Sequence, residues 1–322
     1  MNKSFLAPTP ATVAVEIARH RVSAASVATR DDSLAVTGHA MEALAPGAVI
    51  PSLNAANIPD PQVVSAALRR AFERMGTRPK RVALAIPDGV AKVSLLRFEK
   101  VPDRPHDLDE LIRWQVRKAA PFRIEDAQVT YVPGQKAPDG STEFVVVMAR
   151  RDIIREYEAV CEGAGAQAGL VDLVTFNVIN SVLASSQAPS QDWLLVHVTQ
   201  EDATMAILRG EQLVFFRNRS ADGEAGLADM VHQTAMYYED RLSGTGFSRV
   251  VLAGAGSPAT PGGPAAQDAD YLRRALEQRL GAKVDAVDPR SAATLMDRIT
   301  ANAELLDALA PLVGLLARER AA

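Results

Sequence analysis

Two stretches of the chain end an apolar run in polar side chains able to hold an ion, and they do so at the same spacing. Residues 12–17 read Thr-Val-Ala-Val-Glu-Ile, pass through Ala18, Arg19, His20 and Arg21, and resume as an apolar run over 22–28. Residues 194–198 end on His197 and Val198, pass through Thr199, Gln200, Glu201 and Asp202, and resume over 203–208. Val13 matches Leu194, Glu16 matches His197 and Ser23 matches Thr204, an offset of 181 positions. Arg19, His20 and Arg21 can hold an anion without a metal, whereas Gln200-Glu201-Asp202 repels one unless a cation intervenes. The two halves thus disagree about charge. A third candidate is the small-residue turn Ala253-Gly254-Ala255-Gly256-Ser257 after the apolar stretch 249–252.

Several enzyme signatures are absent. His20, His39, His106, His197 and His232 never stand four apart, so the metalloprotease helix pattern fails; the P-loop Gly-Lys-Ser/Thr and the Gly-x-Ser-x-Gly elbow are missing as well. Residues 163–168 match a loose dinucleotide fingerprint, but they follow a helical pattern and lead into a strand, the reverse of what phosphate binding at a helix N-terminus needs. The Gly254 turn follows a strand, yet the Pro/Gly-rich run after it delays any helix. No catalytic residue and no metal ligand is assigned.

These groups must be positioned by a chain of 322 residues, about two domains' worth, of which 48% are apolar. With 35 Lys+Arg against 39 Asp+Glu the formal charge is −4, which lacks the cationic excess of nucleic-acid binders. A single cysteine, Cys161, forms no intrachain disulfide and fits a reducing compartment. No apolar run approaches the ~20 residues of a membrane helix, and the N-terminal residues lack the apolar region of a secretory signal. The expected location is cytoplasmic.

The pattern over 12–28 predicts a strand hairpin, and that over 194–216 a second one. Between them lie an amphipathic helix over 61–75 and a strand over 81–86 closed by Pro87-Asp88-Gly89. A βαββα unit follows: strand 93–98, a helix from Asp107 with Glu110 as its capping-box partner, strands 128–132 and 144–149, and helix 152–162. A helix ends over 177–184, and 187–191 links into the second hairpin. Beyond it come a helix over 226–242, strand 249–252, helix 268–280, strand 283–287 and an apolar helix 303–318. The order is mixed α/β throughout.

Two hairpins, an inserted βαββα unit and a late glycine turn resemble the actin-like ATPase superfamily, within it the PilM and FtsA branch. The sharpest stretch is residues 111–122, Leu-Ile-Arg-Trp-Gln-Val-Arg-Lys-Ala-Ala-Pro-Phe, followed by Ile124-Glu125-Asp126. Residues 145–150 with the helix to Gly165, then Leu170-Val171-Asp172 and Phe176-Asn177, resemble the same branch. The resemblance implies a two-domain actin-like, ribonuclease H-like fold. Its first domain would span 11–190 with an inserted subdomain over about 88–168, its second 191–300, and a C-terminal helix over 301–322 would pack back on the core.

It also implies roles. In that superfamily each hairpin turn carries an Asp and, two residues on, a Gly that lets backbone N–H groups reach the nucleotide phosphates. Here Glu16 and Ala18 stand in the first turn and His197 and Thr199 in the second. Glu16 sets its carboxylate one methylene too far out, and an imidazole does not replace a hard oxygen ligand for magnesium. Losses of this kind commonly cost ~10²-fold or more in rate each. Ser23 and Thr204 keep hydroxyls where the superfamily often has them, and Gly254, Gly256 and Ser257 keep the adenosine-side turn. Glu16, Ala18, Arg19, His20, Ser23, His197, Thr199, Gln200, Thr204, Gly254, Gly256 and Ser257 are therefore the cofactor candidates, for no cofactor or for ATP or ADP held without efficient turnover. The implied function is a scaffold of a type IV pilus or related secretion platform, peripheral to the inner membrane. It would dock the tail of a bitopic PilN-like protein between the first subdomain and the insertion, with Trp114, Arg117, Phe122 and Arg123 as contacts. Other platform proteins and self-association are further partners under this reading; an active ATPase or sugar-kinase relative is the alternative.

Overall fold

The repeated spacing comes from two sheets built on one plan. In the first, β1 (Val13–Ile17) pairs antiparallel with β2 (Arg21–Arg30), and β2 with β3 (Ser33–Ala43). On its other side β1 lies parallel to β4 (Arg81–Ile86), and β4 to β8 (Gln167–Leu173). In the second, β9 (Asp192–Val198) pairs antiparallel with β10 (Asp202–Arg209), and β10 with β11 (Gln212–Ser220). Parallel to β9 runs β12 (Arg249–Ala253), and parallel to β12 runs β13 (Val284–Ala286). Glu16 stands opposite Ser23 and His197 opposite Thr204, the same rung of each ladder. This computed structural model describes residues 10–30, 33–185, 189–200, 202–220, 226–256, 269–296 and 299–321.

A third sheet, of order β5-β7-β6, is made by β5 (Ala91–Phe98), β6 (Ala127–Lys136) and β7 (Thr142–Arg150). One face is covered by α2 (Pro105–Arg117), which sets Ile112 and Val116 against Phe144, Val146 and Met148. This helix starts two residues before the expected Asp107 cap. Pro105 occupies its first turn and Arg104 is the cap residue, with no side-chain cap bond, because proline's fixed φ suits a first helical position and moves the boundary upstream. At α1 (Pro61–Arg74) the cap is the usual kind: Asp60 accepts from the Gln62 N–H at 3.0 Å.

The layers follow from which strand faces are apolar. β1 and β4 are buried on both faces, the pattern of a sheet covered twice. One face packs on α1 and α3 (Arg151–Gly163), through Val64, Leu68, Phe72, Ile153, Tyr157 and Val160. The other packs on α7 (Ala303–Ala321), through Leu305, Leu309, Leu312, Val313 and Leu316. The second sheet meets α4 (Val174–Leu183) through Trp193, Leu195 and Val251. Its far face is covered by α5 (Leu227–Leu242) and α6 (Ala269–Leu280). Thus α4 and α7 lie between the two large sheets. They touch closely at Gly314, where a Cβ would collide with the Asn177 carbonyl oxygen.

Three elements depart from the sequence expectation. The sequence pattern does not mark β3, because its burial is irregular and Gly38 and His39 interrupt its apolar run. β14 (Ala293–Leu295) is three residues long and crosses back to pair with β3 at the edge of the first sheet. The helix over 152–162, grouped by pattern with the inserted unit, is α3 and shares its core with α1. Residues 187 and 188 of the expected linker, and Asp268 at the start of the expected helix 268–280, lie outside the described residues. Two sheets of matching order around two central helices are the actin-like α/β fold that the resemblance implied.

Candidate functional site

The two hairpin turns open onto a cavity of about 370 Å³ between the lobes. It is lined by Glu16, Ala18, Arg19, His20 and Arg21 from the first turn, by His197, Thr199, Gln200 and Asp202 from the second, and by Gly254 at the end of β12. Asp88 and Gly89, from the turn after β4, complete the floor. Ser23 and Thr204 do not line the cavity; they are buried behind it, opposite Glu16 and His197. Gly256 does not line it either, and Ser257 lies outside the described residues. Both turns close on themselves: the Ala18 N–H donates to the Arg21 carbonyl at 2.9 Å and the Thr199 N–H to that of Asp202 at 2.8 Å. Ser23 Oγ and Gln200 Oε1 are buried without a hydrogen-bond partner.

Asp88 is the centre of the site, and sequence reading missed it. Its Oδ1 accepts the N–H of Thr175 at 3.2 Å, so the carboxylate caps α4, whose N-terminus has no side-chain cap of its own. Its Oδ2 accepts the Thr175 hydroxyl and, at 2.7 Å, that of Thr204. A threonine hydroxyl has one proton, and Thr175 gives its proton to the carboxylate. The 2.7 Å contact between Thr175 Oγ1 and His197 Nδ1 must then run from a protonated Nδ1. Likewise Asn218 Nδ2 donates to Thr204 Oγ1 at 2.9 Å. The proton direction is therefore fixed from His197 through Thr175 to Asp88, and from Asn218 through Thr204 to the same oxygen. Asp88 and Thr175 belong to the first lobe and the other three to the second, so this buried chain latches the lobes together.

Charge in the cleft is unevenly matched. Burial lowers the affinity of His197 for a proton, but Asp88 beside it, with Asp307 and Glu16, outweighs that and holds the imidazole above its ordinary value. Burial pushes the carboxyls of Asp202 and Asp307 up, the first helped by the charge of Asp88. Glu16 pairs with Arg21 at 3.4 Å. The Gly254 and Gly256 N–H groups donate to Asp307 Oδ1 and Oδ2, each at 2.6 Å. No three His, Cys, Asp or Glu side chains among the described residues stand close enough to hold one metal ion. These residues do not fit magnesium-bound ATP: the Gly254 and Gly256 donors already face the Asp307 carboxylate, and three further carboxyl groups, of Glu16, Asp88 and Asp202, line the cavity.

A second cavity, of about 400 Å³, lies where β8 and α3 meet the face of the small sheet opposite α2. Gln128, Thr130, Val147 and Ala149 form one wall, Ile154, Arg155 and Glu158 another, and residues 168–173 of β8 the third. β8 ends the six-stranded sheet, with no described strand on its outer side. Trp114, Arg117, Phe122 and Arg123 do not line this groove, because α2 covers the opposite face of the small sheet. Trp114 is 60% exposed with Lys118 over its ring, Arg117 pairs with Glu125 at 3.1 Å, Arg123 lies 3.9 Å from Glu125 and Asp126, and Phe122 packs on the small core.

Comparison with known proteins adds to this geometry. The model of the family described as type IV pilus assembly protein PilM matches residues 14–243. A solved PilM–PilN type IV pilus biogenesis complex matches at 17% identity, covering 97% of this chain and 99% of that one, with a TM-score of 0.80. Two others match at TM-scores just under one half. The ethanolamine utilization protein EutJ of Carboxydothermus hydrogenoformans is 11% identical over 97% of this chain and 90% of its own, at 0.49. The cytoplasmic domain of EpsL, an inner membrane component of the type II secretion system of Vibrio cholerae, is 10% identical over 96% and 94%, at 0.48. No curated protein matches the chain.

Proposed function

The chain belongs to the PilM family of type IV pilus assembly proteins, and on that premise we propose that it is a docking scaffold whose groove beneath β8 takes the extended cytoplasmic tail of a PilN-like membrane protein. The observation that carries this reading is the outer edge of β8, which pairs with no strand among the described residues and borders a groove of about 400 Å³. A sheet edge offers a row of backbone donors and acceptors, so an extended peptide gains a ladder of hydrogen bonds there while pockets beside it sort its side chains. The exposed Trp114, with Arg117, Phe122 and Arg123, is a second contact surface in this reading, on the far side of the insertion and open to other platform proteins or to a second copy. In this reading the partner's tail would hold the chain at the cytoplasmic face of the inner membrane; no helix among the described residues is long and apolar enough to cross a membrane.

In this reading the cleft holds no efficient catalyst. What supports that is the replacement of both Asp–Gly turns and the internal use of the glycine-turn donors. The competing reading, an ATPase or sugar-kinase relative, draws on the cavity of about 370 Å³ between the lobes. Titration with a fluorescent ATP analogue, with and without magnesium, separates the two: tight magnesium-dependent binding with phosphate release would favour the enzyme.

The docking test uses a labelled synthetic peptide carrying the cytoplasmic tail of the PilN-like partner, read by fluorescence anisotropy. Gln128 and Thr130 are exposed on the groove wall. Replacing both by Trp fills the groove without touching a core, and affinity should fall about tenfold or more, the equivalent of one or two lost backbone hydrogen bonds. Unchanged affinity in the folded double variant would remove the groove as the dock.

A further inference from the structure

Asp307 sits in the second turn of α7 and reaches across to the end of β12. Its two oxygens are divided between two donors of one turn, Gly254 N–H to Oδ1 and Gly256 N–H to Oδ2, both at 2.6 Å. Gly254 holds a left-handed φ of +82°, and any Cβ there would collide with the Val198 carbonyl oxygen. Alternate N–H groups converging from a turn with a left-handed residue make a concavity for an anion, and bonds from such donors to a charged oxygen are shorter and stronger than neutral ones. Here the anion comes from the chain itself. α7 lies directly on the turn, since a Cβ on Gly256 would stand 3.1 Å from Asp307 Oδ2 and 3.3 Å from the Ala303 carbonyl oxygen. Nothing of phosphate size fits between them.

We propose that Asp307 is a built-in ligand of the glycine turn, an autoinhibitory carboxylate that holds phosphate-bearing ligands such as nucleoside diphosphates off the Gly254 and Gly256 N–H groups. An incoming phosphate has to take both donors and leave the Asp307 carboxylate unpaired in a cleft that already contains Glu16, Asp88 and Asp202. His197 and Arg21 are the cations that act on Asp307, and each also faces another carboxylate, Asp88 and Glu16 respectively. The cleft therefore resists a second anion for as long as α7 stays docked. The inference is independent of the groove beneath β8, and tail binding provides a separate readout.

The test is calorimetric titration of the full chain with ADP, and separately with pyrophosphate, for the wild type, Asp307→Asn and Asp307→Ala. Loss of the carboxylate should tighten ADP binding about tenfold or more in the Ala variant, with Asn intermediate because its amide oxygen still accepts from one glycine. In ¹⁵N-resolved NMR spectra the Gly254 and Gly256 amide signals should shift on adding ADP to either variant and stay fixed in the wild type at the same concentration. If Asp307 only fastened α7 to β12, the variants would lose thermal stability and gain no affinity, and that result overturns the proposal. So does a wild-type protein whose Gly254 and Gly256 amides move with ADP. Should the Ala variant fail to fold, the Asn variant and the wild-type spectra decide.

Discussion

The cleft between the lobes and the groove beneath β8 have nearly the same volume, about 370 and 400 Å³, and opposite hydrogen-bonding states. In the cleft the Ala18 and Thr199 N–H groups close their own turns, the Gly254 and Gly256 N–H groups meet Asp307, and the Thr175 and Thr204 hydroxyls meet Asp88. In the groove a seven-residue strand ends its sheet with no strand among the described residues paired on its outer side. The size of a hollow is therefore a poor guide to what it binds. A ligand adds most where it satisfies groups the fold leaves open, and least where it must displace a partner the fold already supplies.

The largest effect expected from breaking this contrast is at Asp88. Asp88→Ala strands two buried hydroxyls, the Thr175 N–H and the His197 ring at once, and should cost about 3–5 kcal/mol, as removal of one partner from a buried charged network does. Urea denaturation measures it; a loss below about 1 kcal/mol would mean that the lobes are not latched there. Next comes Gly254→Ala, expected to destabilise by about 2 kcal/mol or more because it combines a left-handed φ with a collision against Val198. Gly165→Ala is its control, with a similar φ of +90° and nothing within 4 Å of the added carbon. It should cost about 1 kcal/mol. The groove should behave in the opposite way: Thr130→Trp, on an exposed position, should leave stability within about 0.5 kcal/mol while weakening the partner tail.

The same contrast explains what was legible in the sequence. The hairpins could be read because strand periodicity is local, and the offset of 181 residues marked Glu16–Ser23 and His197–Thr204 as equivalent rungs. Their order alone gave a mixed α/β chain, and the resemblance of that order to the actin-like superfamily gave the fold. Asp88 could not be read, since Pro87-Asp88-Gly89 is an ordinary turn signal and its importance comes from Thr175, His197 and Thr204, residues 87 to 116 positions away. Asp307 falls within a helix that the sequence marks only as apolar, and only the packing of α7 on β12 gives it two donors. β14 carries too few residues to show a period, and its pairing with β3 is set by the return of the chain from the second lobe. The sequence does carry one signal: Asp307 lies between the apolar pairs Leu305-Leu306 and Ala308-Leu309, so its carboxylate needs a partner, and the N–H groups of a glycine turn are a natural one.

The smallest effect concerns the proton on His197 and sharpens the comparison from the cleft side alone. Burial disfavours the charged ring, but Asp88 facing it, with Asp307 and Glu16 nearby, holds its affinity for the proton above the ordinary 6.5. A histidine raised in this way contributes stability fully below 6.5, and that contribution is lost as pH rises through the higher, folded value. The slope is at most about 1.4 kcal/mol per pH unit for one proton. Asp202 and Asp307, held up by burial, also make stability fall with rising pH, within their own range, which starts from the ordinary carboxylate value. Thermal melts across pH should thus show a decline above 6.5 that His197→Asn removes while leaving the acid limb in place. Trp substitution in the groove should not change this curve, because no group there faces His197. An identical decline in the Asn variant would assign the proton elsewhere and would leave His197 a neutral Nδ1–H donor in the His197–Thr175–Asp88 chain.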